Sequence, residues 1–359
     1  MKPRVAIVLP YFGSGGAENM VSRLASNIDL SKIDVEVICI YGKPMNNRLE
    51  EAVAEHGVSI KYIGKDKGFS LCALKRLNRE LSDFNPDIIH THLSACVYCS
   101  PWVLFHKATM LHTIHNTPQF ELIKPKIAVM RVMYKLGKAV PVAISNEIQN
   151  MVSSFYNLKR PAELVYNPVD VAKYHVPKQM HDEIVLVTVG RLSVQKNQLR
   201  LIKVFERLST KYSKLVLIIL GDGPLRGKIE RHIKDHDLDK RILLMGNVDN
   251  VEEYFAGADI FVLSSDYEGL PLVVLEAMAG ELPIVSTDVG GIKDIVSENG
   301  ILVPVDDENA FEDALDMLIS NSELRHKMGR KSLSAIAKYD SAVIARVYVE
   351  LYIKYTKRG

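Results

Sequence analysis

Short runs of aliphatic, mostly β-branched residues alternate along the chain with longer segments in which apolar side chains recur every three or four positions. The runs at 5–9, 35–40, 59–63, 88–90, 108–111 and 140–143 are short and nearly uninterrupted, the pattern of strands covered on both faces. Segments 17–28, 71–81 and 127–135 carry the helical period between them. The alternation breaks at Tyr166-Asn167-Pro168-Val169-Asp170 and a polar stretch, 173–182, follows, so 169–182 is expected to be a linker. Strand-like runs resume at 184–189, 215–220, 242–245, 260–263, 284–286 and 301–303. Two α/β domains are therefore expected, 1–168 and 183–341, each a doubly wound, Rossmann-like parallel sheet. They would face each other across a cleft, with ligands at the carboxyl ends of the strands. A last helical stretch, 342–355, either completes the second domain or returns to the first.

Composition narrows the class. With 359 residues, 47% apolar and 25% charged, the chain can bury two cores, and a net charge of +2 gives no reason to expect a nucleic acid partner. Met1-Lys2-Pro3-Arg4 leads straight into a strand with no signal-peptide pattern, and no apolar run approaches the roughly 20 residues of a spanning helix. The expected location is the cytoplasm, with at most peripheral contact at the inner face of the membrane. Cys96 and Cys99 form a C-V-Y-C pair near His90 and His92, but they sit in a run of small and apolar residues that reads as a buried helix face.

Candidate chemistry gathers where strands end. Y-E-G-L-P-L-V-V-L-E-A-M, from Tyr267 to Met278, places Glu268 before a Gly269-Leu270-Pro271 turn and Glu276 inside the apolar run that follows. Pro271 can take the first helical position, so both carboxylates would lie near one helix N-terminus. Carboxylates there can accept from sugar or ribose hydroxyls, and free helix N–H groups can hold a phosphate. V-G-R-L-S-V-Q-K-N puts Gly190, Arg191 and Lys196 at a strand-to-helix transition, where two cations can neutralise a diphosphate. L-G-D-G-P, with Gly221 and Gly223, is either a close approach to a nucleotide or a turn needing positive φ. S-T-D-V-G-G, 286–291, could line the same cleft.

In the first half, F-G-S-G-G-A-E follows the first strand. A dinucleotide fingerprint would want an acid at the end of the second strand, and Cys39-Ile40-Tyr41 has none. What remains is a loop, Gly15 and Gly16 with Glu18 behind, able to bring backbone N–H groups to an anion or a substrate oxygen. His112-Thr113-Ile114-His115-Asn116 ends another strand, and one of its imidazoles could hydrogen-bond a reacting sugar or phosphate. No metal-binding spacing is present, so no metal and no cofactor are expected.

Together these motifs resemble glycosyltransferase family 4, the retaining, GT-B-fold members of the group 1 glycosyl transferases. The block E-G-L-P-L-V-V-L-E-A-M-A-G-E-L-P-I-V is the most specific part, and it departs from the family where Gly280-Glu281 stands for the usual small residue and Gly. The resemblance implies that Glu268 contacts donor-sugar hydroxyls, Glu276 the ribose, and Arg191 and Lys196 the phosphates. It also implies that Gly15-Gly16-Ala17-Glu18 is the acceptor-side loop, that His115 rather than His112 lies near the donor sugar, and that 342–355 crosses back to the first domain. A nucleotide-sugar, with a UDP-sugar favoured, would then give its sugar to a glycan hydroxyl in bacterial surface polysaccharide synthesis, an EC 2.4 reaction.

Between 119 and 161 the basic residues Lys124, Lys126, Arg131, Lys135, Lys138, Lys159 and Arg160 stand against the acids Glu121 and Glu147. A basic, apolar-faced helix of this kind can lie on an anionic membrane, which suits a lipid-linked acceptor. A small soluble acceptor and a non-catalytic nucleotide-sugar binding protein are the competing readings.

Overall fold

The computed structural model describes residues 2–13, 15–44, 48–66, 68 and 70–356; Ser14 of the first glycine-rich loop lies outside them. The chain divides into two units, Met1–Pro168 with Tyr339–Gly359, and Val169–Lys338.

Among the described residues, the first unit holds seven parallel strands. They are β1 Arg4–Leu9, β2 Asp34–Tyr41, β3 Ser59–Lys65, β4 Ile88–His92, β5 Thr109–Ile114, β6 Ala139–Ala143 and β7 Glu163–Leu164, in the order β3-β2-β1-β4-β5-β6-β7. The second holds β8 Ile184–Val189, β9 Leu215–Leu220, β10 Ile242–Gly246, β11 Ile260–Leu263, β12 Ile284–Thr287 and β13 Gly300–Val303, in the order β10-β9-β8-β11-β12-β13. In each sheet the order reverses once, between β1 and β4 and between β8 and β11. Such a switch point opens a crevice at the carboxyl ends of the strands.

Each sheet is buried because its strands are apolar on both faces. Val5, Ile7, Leu9, Val37 and Ile88 meet helix Gly16–Ala25 in one core, and Leu186, Leu217, Ile219 and Val262 meet helix Gln198–Lys211 in the other. Helix Ser341–Thr356 belongs to the first core, where Ile344, Tyr348 and Tyr352 are buried. The Tyr352 hydroxyl lies 2.8 Å from His90 Nδ1, and Lys354 and Tyr355 both donate to Glu163.

Several boundaries differ from the sequence expectation. The helix expected at 17–28 ends at Ala25, although Ile28 is still buried in the core and prolongs the apolar period. β4 and β5 run on to His92 and Ile114 because their polar residues find partners inside the sheet: Thr91 Oγ1 lies 3.1 Å from His112 Nδ1, and Thr113 Oγ1 lies 2.7 Å from His90 Nε2. Residues 169–182 pack along the second unit. Asp170 caps helix Val171–Tyr174, and Lys178 donates to the carbonyls of Phe255 and Ala258, its pKa lowered to about 8 by burial. Cys96 and Cys99 are buried on helix Ala95–Phe105, where desolvation raises both thiol pKa values and keeps them protonated.

Candidate active site

In the second unit the loops after β8, β9, β11 and β12, four adjacent strands, form one group. Val189 delivers the chain to Gly190 and Arg191, and the loop continues to Asn197, which caps helix Gln198–Lys211 in a left-handed conformation, φ 44° and ψ 46°. Few residues tolerate that conformation, and Asn is one of them. Its side chain donates to Asp266, which also takes an ion pair from Arg200 at 2.8 Å. Gln195 donates from its amide to the Tyr267 carbonyl, and its own carbonyl accepts from the Asp266 N–H. The β8 and β11 loops are thus laced together by Gln195, Asn197, Arg200 and Asp266, none of which the motif reading singled out. Their signal was the polar run S-S-D-Y just before E-G-L-P.

Inside this lacing, Lys196 Nζ lies 2.7 Å from Glu268 Oε1, with the side chains 17% and 8% exposed. The Ser265 hydroxyl donates to the same oxygen at 2.6 Å, and the Ser265 carbonyl accepts from Thr287 Oγ1 on β12. Arg191 is exposed and takes no part in the described ion pairs. The two cations expected at a diphosphate are therefore held differently, Lys196 by a buried carboxylate and Arg191 facing solvent.

Pro271 occupies the N-cap of helix Leu272–Ala279, φ −70° and ψ 120°, rather than its first turn. The extended ψ at Pro271 lets the chain turn from the buried Glu268–Leu270 segment into the helix one residue later than the sequence suggests. Proline has no side-chain acceptor; its carbonyl accepts the Val274 N–H at 3.1 Å, which leaves the N–H groups of Leu272 and Val273 without a side-chain cap. Glu276 lies inward on the same helix and is buried.

Glycines in these loops serve close backbone approach. Gly221 has φ 130°, and a Cβ there would run into the Gly190 carbonyl oxygen; Gly223 meets the Leu192 backbone in the same way. Gly290, φ 57°, lies against the Glu268 and Gly269 carbonyls, and Gly291 N–H donates to Gly269 O at 2.6 Å. These contacts fix the loops against one another and hold Gly269 and Leu270 in place. The turn before Pro283 keeps a left-handed residue, Glu281 with φ 57°.

In the first unit, Gly15 is the N-cap of helix Gly16–Ala25, and a Cβ on it would run into the Glu18 carboxylate. Glu18 folds back over the helix start and accepts its own backbone N–H; desolvation raises its pKa. At the ends of β4 and β5 four imidazoles cluster. His92 Nδ1 and His115 Nε2 lie 2.9 Å apart, and His90 and His92 have ring centroids 4.3 Å apart. His112 is 1% exposed and turned toward Thr91, while His115 keeps partial exposure at the strand end. Desolvation lowers all four pKa values, to about 3 for His90 and His115, about 4 for His112 and well below normal for His92. The cluster is neutral at pH 7, so His115 can offer either a lone pair or an N–H to a hydroxyl.

Glu121, counted above only as one of two acids in a basic segment, is half-buried. Its carboxylate accepts the backbone N–H groups of His115 and Asn116, its Oε1 is buried without a partner, and desolvation pushes its pKa up to about 7. Among the described residues, one group, Glu206, His232 and His236, brings possible metal-ligating atoms together. Glu206 stands on helix Gln198–Lys211, His232 on helix Arg226–Asp235 and His236 at the C-cap of the latter, and the group shares no residue with the loops above.

Comparison with known proteins accounts for this combination. The family model described as Glycosyl transferases group 1 matches residues 172–334, and that of Glycosyltransferase Family 4 matches 14–173. The chain is 25% identical over 368 residues to a Campylobacter jejuni N-acetylgalactosamine-N,N'-diacetylbacillosaminyl-diphospho-undecaprenol 4-alpha-N-acetylgalactosaminyltransferase, covering 96% of this chain and 97% of that one. A second C. jejuni enzyme, GalNAc-alpha-(1->4)-GalNAc-alpha-(1->3)-diNAcBac-PP-undecaprenol alpha-1,4-N-acetyl-D-galactosaminyltransferase, is 23% identical over 363 residues, covering 97% and 98%. The structure of Anabaena HepE in complex with UDP matches at a TM-score of 0.84 and 15% identity, covering 99% of this chain and all of that one, a likeness of fold.

Proposed function

The chain belongs to glycosyltransferase family 4 and the group 1 glycosyl transferases, with the GT-B fold, and from that premise we propose its donor, acceptor and stereochemistry. It moves a sugar, with retention at the anomeric carbon, from a nucleotide-diphospho-sugar to a hydroxyl of a lipid-linked glycan. The observation that carries the donor side is the buried Lys196–Glu268 pair beside the uncapped start of helix Leu272–Ala279.

As the sugar–phosphate bond breaks, negative charge grows on the departing β-phosphate. Arg191, Lys196 and the N–H groups of Leu272 and Val273 are suited to neutralise it, and preorganised donors of this kind usually supply the largest share of rate acceleration. Lys196 is already oriented by Glu268 and Ser265, so little reorganisation is needed at the moment of reaction. Glu268 Oε1 is engaged by that lysine and that hydroxyl, which leaves Oε2 to accept from a sugar hydroxyl. Glu276 takes the ribose. The leaving phosphate oxygen takes the acceptor proton, so no protein carboxylate serves as base and no protein-held metal is called for. UDP is the favoured nucleotide, and a complex with UDP is known for a protein of the same fold.

Two related enzymes act on undecaprenyl-diphosphate-linked acceptors, which supports a lipid-linked acceptor here. The surface around helix Lys124–Lys135 supports this reading: Lys124, Arg131 and Lys135 are exposed beside Ile123 at 65%, Val132 at 54% and Leu136 at 59%. No helix among the described residues is long and apolar enough to cross a membrane, and a basic, apolar-edged helix lies on an anionic leaflet instead. The protein would then work in the cytoplasm at the inner face of the membrane.

A thermal-shift screen across UDP-, GDP- and ADP-sugars tests the donor side, since a ligand that binds only the folded chain raises its melting temperature. One nucleotide class giving a clear shift is expected, and no shift with any of them would overturn the reading. Sedimentation with anionic liposomes at physiological salt tests the membrane side; a protein that stays in the supernatant contradicts it.

A further inference from the structure

Unit Met1–Pro168 contains a pocket of about 730 Å³ that the donor chemistry leaves unused. Helices Leu71–Phe84, Ala95–Phe105 and Lys124–Lys135 contribute its walls, which are apolar through Val97, Leu104, Val129 and Val132. Its volume is that of a site for a small organic ligand.

Two lysines also line it, Lys65 and Lys126. Lys65 ends β3 and is only 4% exposed. Its Nζ donates to the Asp66 carbonyl at 2.8 Å and lies 4.6 Å from the Tyr41 ring centroid and 5.6 Å from that of Tyr98. The described lysine ion pairs of this unit are made by Lys32, Lys43, Lys61 and Lys354, and none by Lys65 or Lys126. The Lys65 ammonium is held by the Asp66 carbonyl, the Tyr41 hydroxyl at 3.5 Å and two aromatic faces, none of which carries a negative charge, so its charge remains for an anion that enters the pocket.

The position narrows the ligand. Tyr41 ends β2, Lys65 ends β3 and Ser94 follows β4, so the pocket opens at the carboxyl edge of the sheet, the edge at which His115 follows β5. Its other lip carries Phe105, 86% exposed, and Val132, on the same helix as Lys124 and Arg131. One cation at the end of β3, a second in the first turn of helix Lys124–Lys135 and an apolar wall leading toward a basic surface match an amphiphile with one anionic end and one hydrocarbon chain.

On the lipid-linked reading above, we propose that this pocket binds the carrier end of the acceptor, a polyprenyl diphosphate. Lys65 and Lys126 hold the diphosphate, the first isoprenoid units lie against Val97, Leu104 and Val129, and the chain leaves past Phe105 and Val132. The glycan on the diphosphate is then presented along the strand ends.

Calorimetry on the full chain with farnesyl diphosphate, farnesol, inorganic diphosphate and dihexanoyl phosphatidylglycerol tests this. Farnesyl diphosphate is expected to bind at least about tenfold more tightly than each of the others, since it alone meets both the cations and the apolar wall with a single chain. Lys126→Met and the surface change Leu104→Asp should each weaken it about tenfold or more while leaving UDP binding and melting temperature unchanged. Equal affinity for farnesyl diphosphate and inorganic diphosphate, equal affinity for the phospholipid, or binding untouched in both variants would overturn the proposal. A wild-type protein that sediments with liposomes yet does not bind farnesyl diphosphate refutes the pocket alone, whereas failure to sediment counts against the lipid-linked reading itself.

Discussion

Replacing Lys196 by Met separates the structural from the catalytic role of the Lys196–Glu268 pair. The side chains are 17% and 8% exposed and 2.7 Å apart, so the pair behaves as a buried one. Removing one partner of such a pair typically costs about 3–5 kcal/mol, because the remaining charge is left without compensation. Glu268 retains the Ser265 hydroxyl, which places the expected loss near the lower end, about 3 kcal/mol. In a unit of this size that corresponds to a fall in melting temperature of about 6–12 °C. Lys196→Met combined with Glu268→Gln removes both charges and keeps the shape, so about 2 kcal/mol of the loss should return. Arg191→Ala, at an exposed residue, should melt within about 1 °C of the parent chain yet lose about 10²-fold in sugar transfer. The assay is thermal denaturation of the three variants alongside donor turnover. A Lys196→Met protein that melts with the parent chain, or a double variant less stable than the single one, would refute the reasoning.

The four imidazoles at the ends of β4 and β5 should remain neutral well below ordinary histidine pKa values, because their folded values lie near 3 to 4 or lower against about 6.5 unfolded. Between those values the unfolded chain binds more protons, so the stability present above about pH 6.5 falls as pH drops, by about 1.4 kcal/mol per pH unit per histidine. Histidine ring NMR between pH 7.5 and 5 checks this, and a midpoint near 6.5 for any of the four would contradict it. Gly290→Ala should destabilise by about 2 kcal/mol or more, as its Cβ meets the Glu268 carbonyl at φ 57°. Gly227→Ala, inside helix Arg226–Asp235 with open space around it, should instead stabilise by about 0.5–1 kcal/mol. Denaturant titration reads both. Glu281→Gly removes a left-handed non-glycine residue and should raise stability by about 0.5 kcal/mol; a clear loss would mean that the Glu281 side chain contributes more than its backbone strain costs.

The strand cores were legible because parallel strands covered on both faces must be apolar throughout, as in V-A-I-V-L of β1 and I-V-L-V-T-V of β8. Legibility stopped where burial depends on distant partners. His90, Thr91 and His92 look like the end of a strand, yet Tyr352, 262 residues away, satisfies His90 and lets β4 continue. Glu121 reads as one acid in a basic segment, and only the fold shows that it holds the backbone after β5. Strand β7 is two residues long, and helix Arg48–Glu55 has only Leu49 and Val53 to mark its core face, so both are too short to stand out. In the candidate site the motif residues Lys196 and Glu268 were visible by their spacing to glycine and proline. Their mutual ion pair, and the lacing by Gln195, Asn197 and Asp266, depend on which loops become neighbours across β8 and β11, and no local pattern encodes that.

The central claim is that Arg191 and Lys196 read the diphosphate of a nucleotide-sugar. Calorimetric binding of UDP and UMP to the parent chain and to Arg191→Ala tests it most directly, since the two ligands differ by the phosphate these cations would hold. A charge-assisted hydrogen bond is worth about 1.5–3 kcal/mol, so UDP should bind the parent chain at least about tenfold more tightly than UMP. That preference should fall by at least about threefold in Arg191→Ala, whose fold is undisturbed, with the remainder held by Lys196. Equal binding of UDP and UMP by the parent chain, or a preference unchanged by loss of Arg191, would contradict the account.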